Sequence, residues 1–172
     1  MTGYHLAQMN IAVPKGPMDG PVMAEFKAGL PALNAIADAA PGFVWRLVDD
    51  GGADATALRP FGDDTMVNMS VWESVEALRD YAYRVPAHLE ALRRRREWFR
   101  PWGTGNMLVL WWIPAGTIPT LDEARDRLAH LDRHGPGPMA FTLRTPFAAP
   151  VDATPADGTP ADATPVDADA AR

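Results

Sequence analysis

The stretch "RVPAHLEALRRRREWFRPW", residues 84–102, gathers one histidine, several arginines and three aromatic residues into what reads as a single short helix. On a helical wheel His88, Leu92, Arg95 and Phe99 share one face, Leu89, Arg93, Arg96 and Arg100 share the next, and Arg94 and Trp98 form an i, i+4 pair. The arginines therefore spread around the helix instead of forming one patch. Pairs such as Glu90 with Arg94 and Arg93 with Glu97 are expected to hold some of them. Arg95, on the histidine's face, is the one expected to meet a bound anion or a developing negative charge. His88 falls in the first turn, where the positive end of the helix dipole disfavours protonation. A neutral imidazole there can accept a proton or polarise a carbonyl.

A second group comes from the strand patterns. In "YHLAQMNIAV" (4–13) Gln8 and Asn10 share a face, and in "TMVNMSVW" (65–72) Asn68, Ser70 and Trp72 share one. A covered sheet face favours apolar side chains, so amides at these positions either cap loops or line a pocket. Amides in a pocket can hold a developing oxyanion. We therefore take His88, Asn68 and Arg95 as candidate catalytic residues. Gln8, Asn10, Ser70, Trp72, Tyr81, Trp98 and Trp111 are taken as candidate substrate contacts, the aromatic residues as walls for a planar ligand. His130 and His134 have a metal-compatible spacing, but no third ligand has matching spacing, and both lie near a helix C-terminus where a cation is favoured for its own sake. No metal site is expected. There is no Walker loop, G-x-G-x-x-G, G-x-S-x-G or zinc signature, so no cofactor is expected either.

The elements that must position these residues alternate along the chain. We expect a strand at 4–13, a helix at 21–39 kinked at Gly29 and Pro31, a strand at 43–48, a loop at 49–64 and a strand at 65–72. A helix at 74–84 capped by Ser74 follows, then a helix at 86–99 begun by Pro86 and stopped before Pro101. The apolar run "NMLVLWWIP" (106–114) reads as a strand covered on both faces. "TLDE" (120–123) reads as a capping box whose helix ends at Gly135. "MAFTLRTPF" (139–147) reads as a last, edge strand. Without the extra helix and the final helix–strand pair this order is β-α-β-β-α-β, the ferredoxin-like split unit. Its helices lie on one face of an antiparallel sheet, and the bare face is commonly covered by a second copy.

The 172-residue chain divides into a body over 1–148 and a tail over 149–172. The tail repeats a Pro-x-Asp-x-Thr unit with almost no large apolar side chain, so nothing offsets the entropy of ordering it, and it is expected to be disordered. It carries five of the aspartates and Arg172, which accounts for −4 of the formal charge of −6. The body, near −2, lacks the basic excess of a nucleic-acid binder. No signal peptide or membrane-length apolar run is seen and cysteine is absent, so a cytoplasmic location is expected.

The segments "HLAQMNIA", "PGFVWRL", "RPFGDD", "VNMSVWESVEALRDYAYR", "HLEALRRRREWF" and "LVLWWIPAGTIPTLDEARDRLAHLDRHGP" together resemble the domain-of-unknown-function family numbered 3291. The resemblance runs from about His5 to Phe147. It implies a dimeric α+β barrel, in a superfamily that includes cofactor-free antibiotic-biosynthesis monooxygenases, small-molecule cyclases and haem-handling proteins. It implies a fold and a pocket without fixing a reaction. The expectation is a homodimeric α+β protein that holds an apolar or aromatic small molecule. Its activity would be cofactor-free, of monooxygenase, isomerase or cyclase type; the rival expectations are a ligand carrier or scaffold and, behind it, a haem binder.

Overall fold

The computed structural model describes residues 3–151. The tail expected to be disordered lies, from residue 152 on, outside the described residues. The elements are β1 (Tyr4–Ala12), α1 (Ala24–Asp38), β2 (Phe43–Arg46), β3 (Met66–Trp72), α2 (Val75–Arg84), α3 (Pro86–Trp98), β4 (Leu108–Pro114) and α4 (Leu121–His134). The strands form one antiparallel sheet in the order β2-β3-β1-β4. This is the strand order of the ferredoxin-like split unit, and the fold is α+β.

Alternation along β1 decides what each face carries. Ala7, Met9 and Ile11 point to one side, with Val67, Met69 and Val71 of β3 and Val109, Trp111 and Ile113 of β4. Leu6, Gln8 and Asn10 point to the other, level with Trp72, Ser70 and Asn68 of β3 and with Trp112, Leu110 and Leu108 of β4. We call the first the far face and the second the site face. On the site face Val75 and Leu78 of α2 pack on Leu6, Trp72 and Leu110. The chain then turns at Val85 into α3, which packs against α2 and α1.

The far face is not bare. Ala124, Leu128 and Leu131 of α4 pack on it, joined by Trp45, Leu47, Leu58, Phe61 and Trp102. Ala7, Met9, Val109 and Trp111 are fully buried there within a single chain. The helix beyond the split unit thus occupies the surface where a second copy was expected to sit.

The caps explain several boundaries. Ser74 Oγ accepts from Ala77 N at 3.1 Å and starts α2. Thr120 Oγ1 accepts from Glu123 N at 3.1 Å and starts α4. The reciprocal half of the expected box is missing, because the Glu123 carboxylate accepts instead from Trp111 Nε1 at 3.0 Å and Arg127 at 3.3 Å. The helix α1 starts three residues later than Pro21, behind the buried Met23, and continues through Pro31.

The strand expected at 139–147 does not form. Phe141 exchanges both backbone bonds with Leu110, each at 2.9 Å, and the ladder stops there. Pro138 and Pro146 supply no amide to extend it, and Thr145 N turns back to Thr142 O at 3.1 Å. The segment is held by side chains instead: Arg79 donates to Leu143 O at 2.6 Å and Trp112 Nε1 to Phe147 O at 2.9 Å. Among the described residues no helix is long and apolar enough to cross a membrane.

Candidate functional site

The amides of β1 and β3 meet because their strands pair in register. Gln8 lies opposite Ser70 and Asn10 opposite Asn68. Their side chains form one hydrogen-bonded row across the site face. Trp72 Nε1 donates to Ser70 Oγ at 2.9 Å, and Ser70 Oγ donates to Gln8 Oε1 at 2.8 Å. Gln8 Nε2 donates to Asn10 Oδ1 at 2.9 Å, and Asn68 Nδ2 donates to the same oxygen at 3.1 Å. The row is graded in exposure: Trp72, Gln8 and Ser70 are buried, Asn10 is half-buried and Asn68 is exposed. It therefore runs from the core to an open end.

At the buried end the row joins an aromatic stack. The Trp72 ring packs on Tyr81 at 5.1 Å between centroids and near-parallel at 29°. Tyr81 in turn lies 4.6 Å from the His88 ring, and Phe43 meets Trp72 edge-on at 5.4 Å. Burial pushes the Tyr81 phenol up to about 12, so it stays protonated.

The junction between α2 and α3 positions His88. Pro86 opens α3 immediately after α2 ends, which brings the first turn of α3 under the last carbonyls of α2. His88 Nδ1 lies 3.0 Å from Ala82 O. A carbonyl only accepts, so Nδ1 carries the proton and Nε2 keeps its lone pair. Burial holds the imidazole below its ordinary value, against an opposing contribution from the Ala82 bond. The Ala82 carbonyl has no signature in the sequence, since its contact with His88 depends on how two helices join.

The remaining candidates separate from this group. Trp111 is on the far face, bonded to Glu123 under α4. Trp98 is buried between α1 and α3, 5.5 Å from Phe26, with the Arg94 guanidinium 4.9 Å over its ring. Arg95 is exposed and donates to Leu92 O at 3.2 Å within its own helix. The ion pairs expected on α3 are exchanged: Arg94 binds Glu97 at 2.7 Å and also Glu25 of α1, and Arg93 approaches Glu90 at 3.8 Å. Asn68 and His88 lie towards opposite ends of the group, since Asn68 is four residues, about 13 Å of extended strand, from Trp72.

Arg46 of β2, opposite Ser70, was not foreseen as part of this surface. Its guanidinium forks onto Asp38 at 2.8 and 3.3 Å and donates to Ala53 O at 2.9 Å. The charge next to the row is thus already matched. Two open concavities lie elsewhere: a groove of about 300 Å³ between α1 and α3, and one of about 330 Å³ where Pro146–Ala149 pass Trp112 and Val75. The row borders neither. The His130 and His134 rings lie 4.5 Å apart, tilted by 39°, and no group of three metal-ligating side chains occurs among the described residues.

The sequence model of the family described as Domain of unknown function (DUF3291) matches residues 5–157. No curated protein sequence matches the chain. Among solved structures, SnoaB, a cofactor-independent oxygenase from Streptomyces nogalater, is 19% identical over 68% of this chain and 96% of its own, with a TM-score of 0.42. Rv0793 from Mycobacterium tuberculosis is 15% identical over 68% and 98%, with a TM-score of 0.40. PA3566 from Pseudomonas aeruginosa is 13% identical over 68% and 97%, with a TM-score of 0.42. Likenesses this distant do not speak to a reaction.

Proposed function

Starting from a chain that belongs to the DUF3291 family, whose description assigns no activity, we propose a small-molecule enzyme that needs no cofactor and moves a proton on an apolar or aromatic substrate. The observation that carries this reading is the state of His88. Its Nδ1 proton is committed to Ala82 O, its Nε2 has no hydrogen-bond partner among the described residues, and burial disfavours its protonation beside the Tyr81–Trp72 wall. A fixed neutral tautomer against an aromatic surface is what a general base requires. A flat ligand would pack on Tyr81 and offer a C–H or O–H to His88 Nε2, while the amides of Asn10 and Asn68 would hold a polar group at its other end. Proton removal of this kind is the shared first step of oxygenase, isomerase and cyclase chemistry. Gln8, Ser70 and Trp72 are too fully bonded to contact the ligand and act as its support.

A homodimer belongs to the same reading. Because α4 and residues 47–61 cover the far face, a second copy would meet them there and not bare strands.

Native mass spectrometry of the full chain from its own source tests for a bound small molecule, and sedimentation tests the dimer. With the co-purified compound as substrate, His88→Gln should lose turnover and keep binding. Unchanged turnover in that variant would instead identify a ligand carrier, and a Soret band after haem addition would identify a haem protein.

A further inference from the structure

We infer that Trp72, Ser70 and Gln8 act as positioning residues that fix which way round the Asn10 and Asn68 amides point. The open end of the row then takes a neutral edge carrying one acceptor beside one donor, such as a lactam or a hydroxy-carbonyl, in preference to a carboxylate. This rests on the small-molecule reading above and names the group that its site recognises.

The direction of the row is set at its buried end. An indole N–H can only donate, so Ser70 Oγ must accept from Trp72. The serine's single proton then goes to Gln8, which presents Oε1 to it; the flipped amide would use the second lone pair of Oγ and deprive that buried proton of this acceptor. That turns the Gln8 amide nitrogen towards Asn10, where only an oxygen can receive it, so Asn10 presents Oδ1. The same oxygen accepts from Asn68 Nδ2. Each amide orientation follows from the one before, back to a tryptophan that is 1% exposed and cannot exchange its partner for water. The result at the open end is Asn10 Nδ2 and Asn68 Oδ1 turned away from the row, a donor beside an acceptor.

A ligand carbonyl accepts from Asn10 Nδ2 while its neighbouring N–H or O–H donates to Asn68 Oδ1. A carboxylate has no proton for Asn68 Oδ1 and would leave two oxygens facing each other. Arg46, which the register places beside the row, does not compensate, because it is occupied by Asp38 and Ala53 O.

The test uses the full chain and side-chain amide NMR, with 2-pyridone as the lactam probe and benzoate as its carboxylate counterpart. We expect 2-pyridone at millimolar concentration to shift the Asn10 and Asn68 amide signals, with benzoate roughly tenfold weaker, a difference of about 1.4 kcal/mol. Asn68→Leu, which removes the acceptor, should abolish the lactam response. Ser70→Ala should double or broaden the Asn10 and Asn68 signals as the amides flip, and Ser70→Thr, which restores the hydroxyl, should return single sharp signals. Trp72→Phe should repeat the Ser70→Ala effect, which separates loss of direction from misfolding. Equal binding of benzoate, no response to 2-pyridone, or sharp unshifted amide signals in both Ser70→Ala and Trp72→Phe would overturn the inference. None of these outcomes depends on turnover, so the proton-transfer role of His88 stands or falls separately.

Discussion

Replacing Ser70 by alanine removes one oxygen from the middle of the polar row, and the structure lets its cost be worked out. Ser70 is 7% exposed, Gln8 6% and Trp72 1%, so water does not replace the lost hydroxyl. The substitution orphans the Trp72 N–H and the Gln8 carbonyl oxygen, whose bonds to Ser70 are 2.9 and 2.8 Å. An unsatisfied buried polar group costs about 1–3 kcal/mol. Because the Gln8 amide can turn and recover part of its bonding, the expected loss is about 2–4 kcal/mol in place of the full sum. Urea denaturation with an unchanged slope measures it. Trp72→Phe carries its own packing cost, but in the double variant the orphaned indole is gone. Ser70→Ala should therefore cost about 1–2 kcal/mol less in that background. A loss below about 0.5 kcal/mol for the single variant, or strict additivity in the cycle, would show that the row is not a coupled buried network and would refute this reasoning.

Other consequences follow from placement. His88 binds a proton less readily folded than at its ordinary value of 6.5. Its contribution to stability is therefore complete above 6.5 and declines as pH falls towards the folded value, because the unfolded chain takes up the proton first. Tm measured across that interval should slope downward with acid, and His88→Gln should flatten the slope. Arg95→Ala should change turnover by no more than a few-fold and leave stability unaltered, since the side chain is exposed and bonded only within its helix; a large loss of turnover would return Arg95 to the site. Trp111→Phe should destabilise by about 1–3 kcal/mol through the lost Glu123 bond and the far-face void, yet leave 2-pyridone binding intact. Hydrogen exchange should open the amides of α1 and α3 before those of α4, because α1 and α3 each bury one side chain whereas α4 buries three; equal protection would contradict that ranking.

Period-two alternation was enough to put Gln8 and Asn10 on one face of β1, and Asn68, Ser70 and Trp72 on one face of β3. That the two faces are the same face follows only from the register, which pairs Gln8 with Ser70. The apolar run of β4 gives no such mark. Both its faces are covered, so nothing in "LVLWWIP" distinguishes Trp111, under α4, from Trp112, on the site face. His88 was legible as a first-turn histidine, but the carbonyl that fixes its tautomer belongs to another helix. On α3 the sequence suggested partners four residues apart. A glutamate from α1 captured Arg94 and redirected the pairing, a tertiary contact that no local pattern encodes. The last strand failed for a similar reason: its alternation was real, but its prolines withheld the amides that a ladder needs.

These placements give the two sides of the sheet different work. On the far face α4 and the residues around Trp102 bury aliphatic and aromatic side chains to 0–3% exposure, leaving little freedom there. That packing holds β1 and β3 in register, and register is what aligns the amide row. On the site face α2 is seated firmly by Val75, Leu78 and Ala82, while α3 buries only Trp98, packs it on Phe26 of α1 and adds one exposed ion pair, Arg94 with Glu25. Exposed pairs contribute little and are screened by salt. The element carrying the candidate base is tied at its first turn by the Ala82–His88 bond and the turn at Val85, and at its far end by Trp98 O, which accepts from Lys15 N at 2.8 Å, and by Arg100 N, which donates to Val13 O at 2.8 Å. The His88 tautomer is thus set by the junction of two helices, and the order of the amide row by the register of two strands.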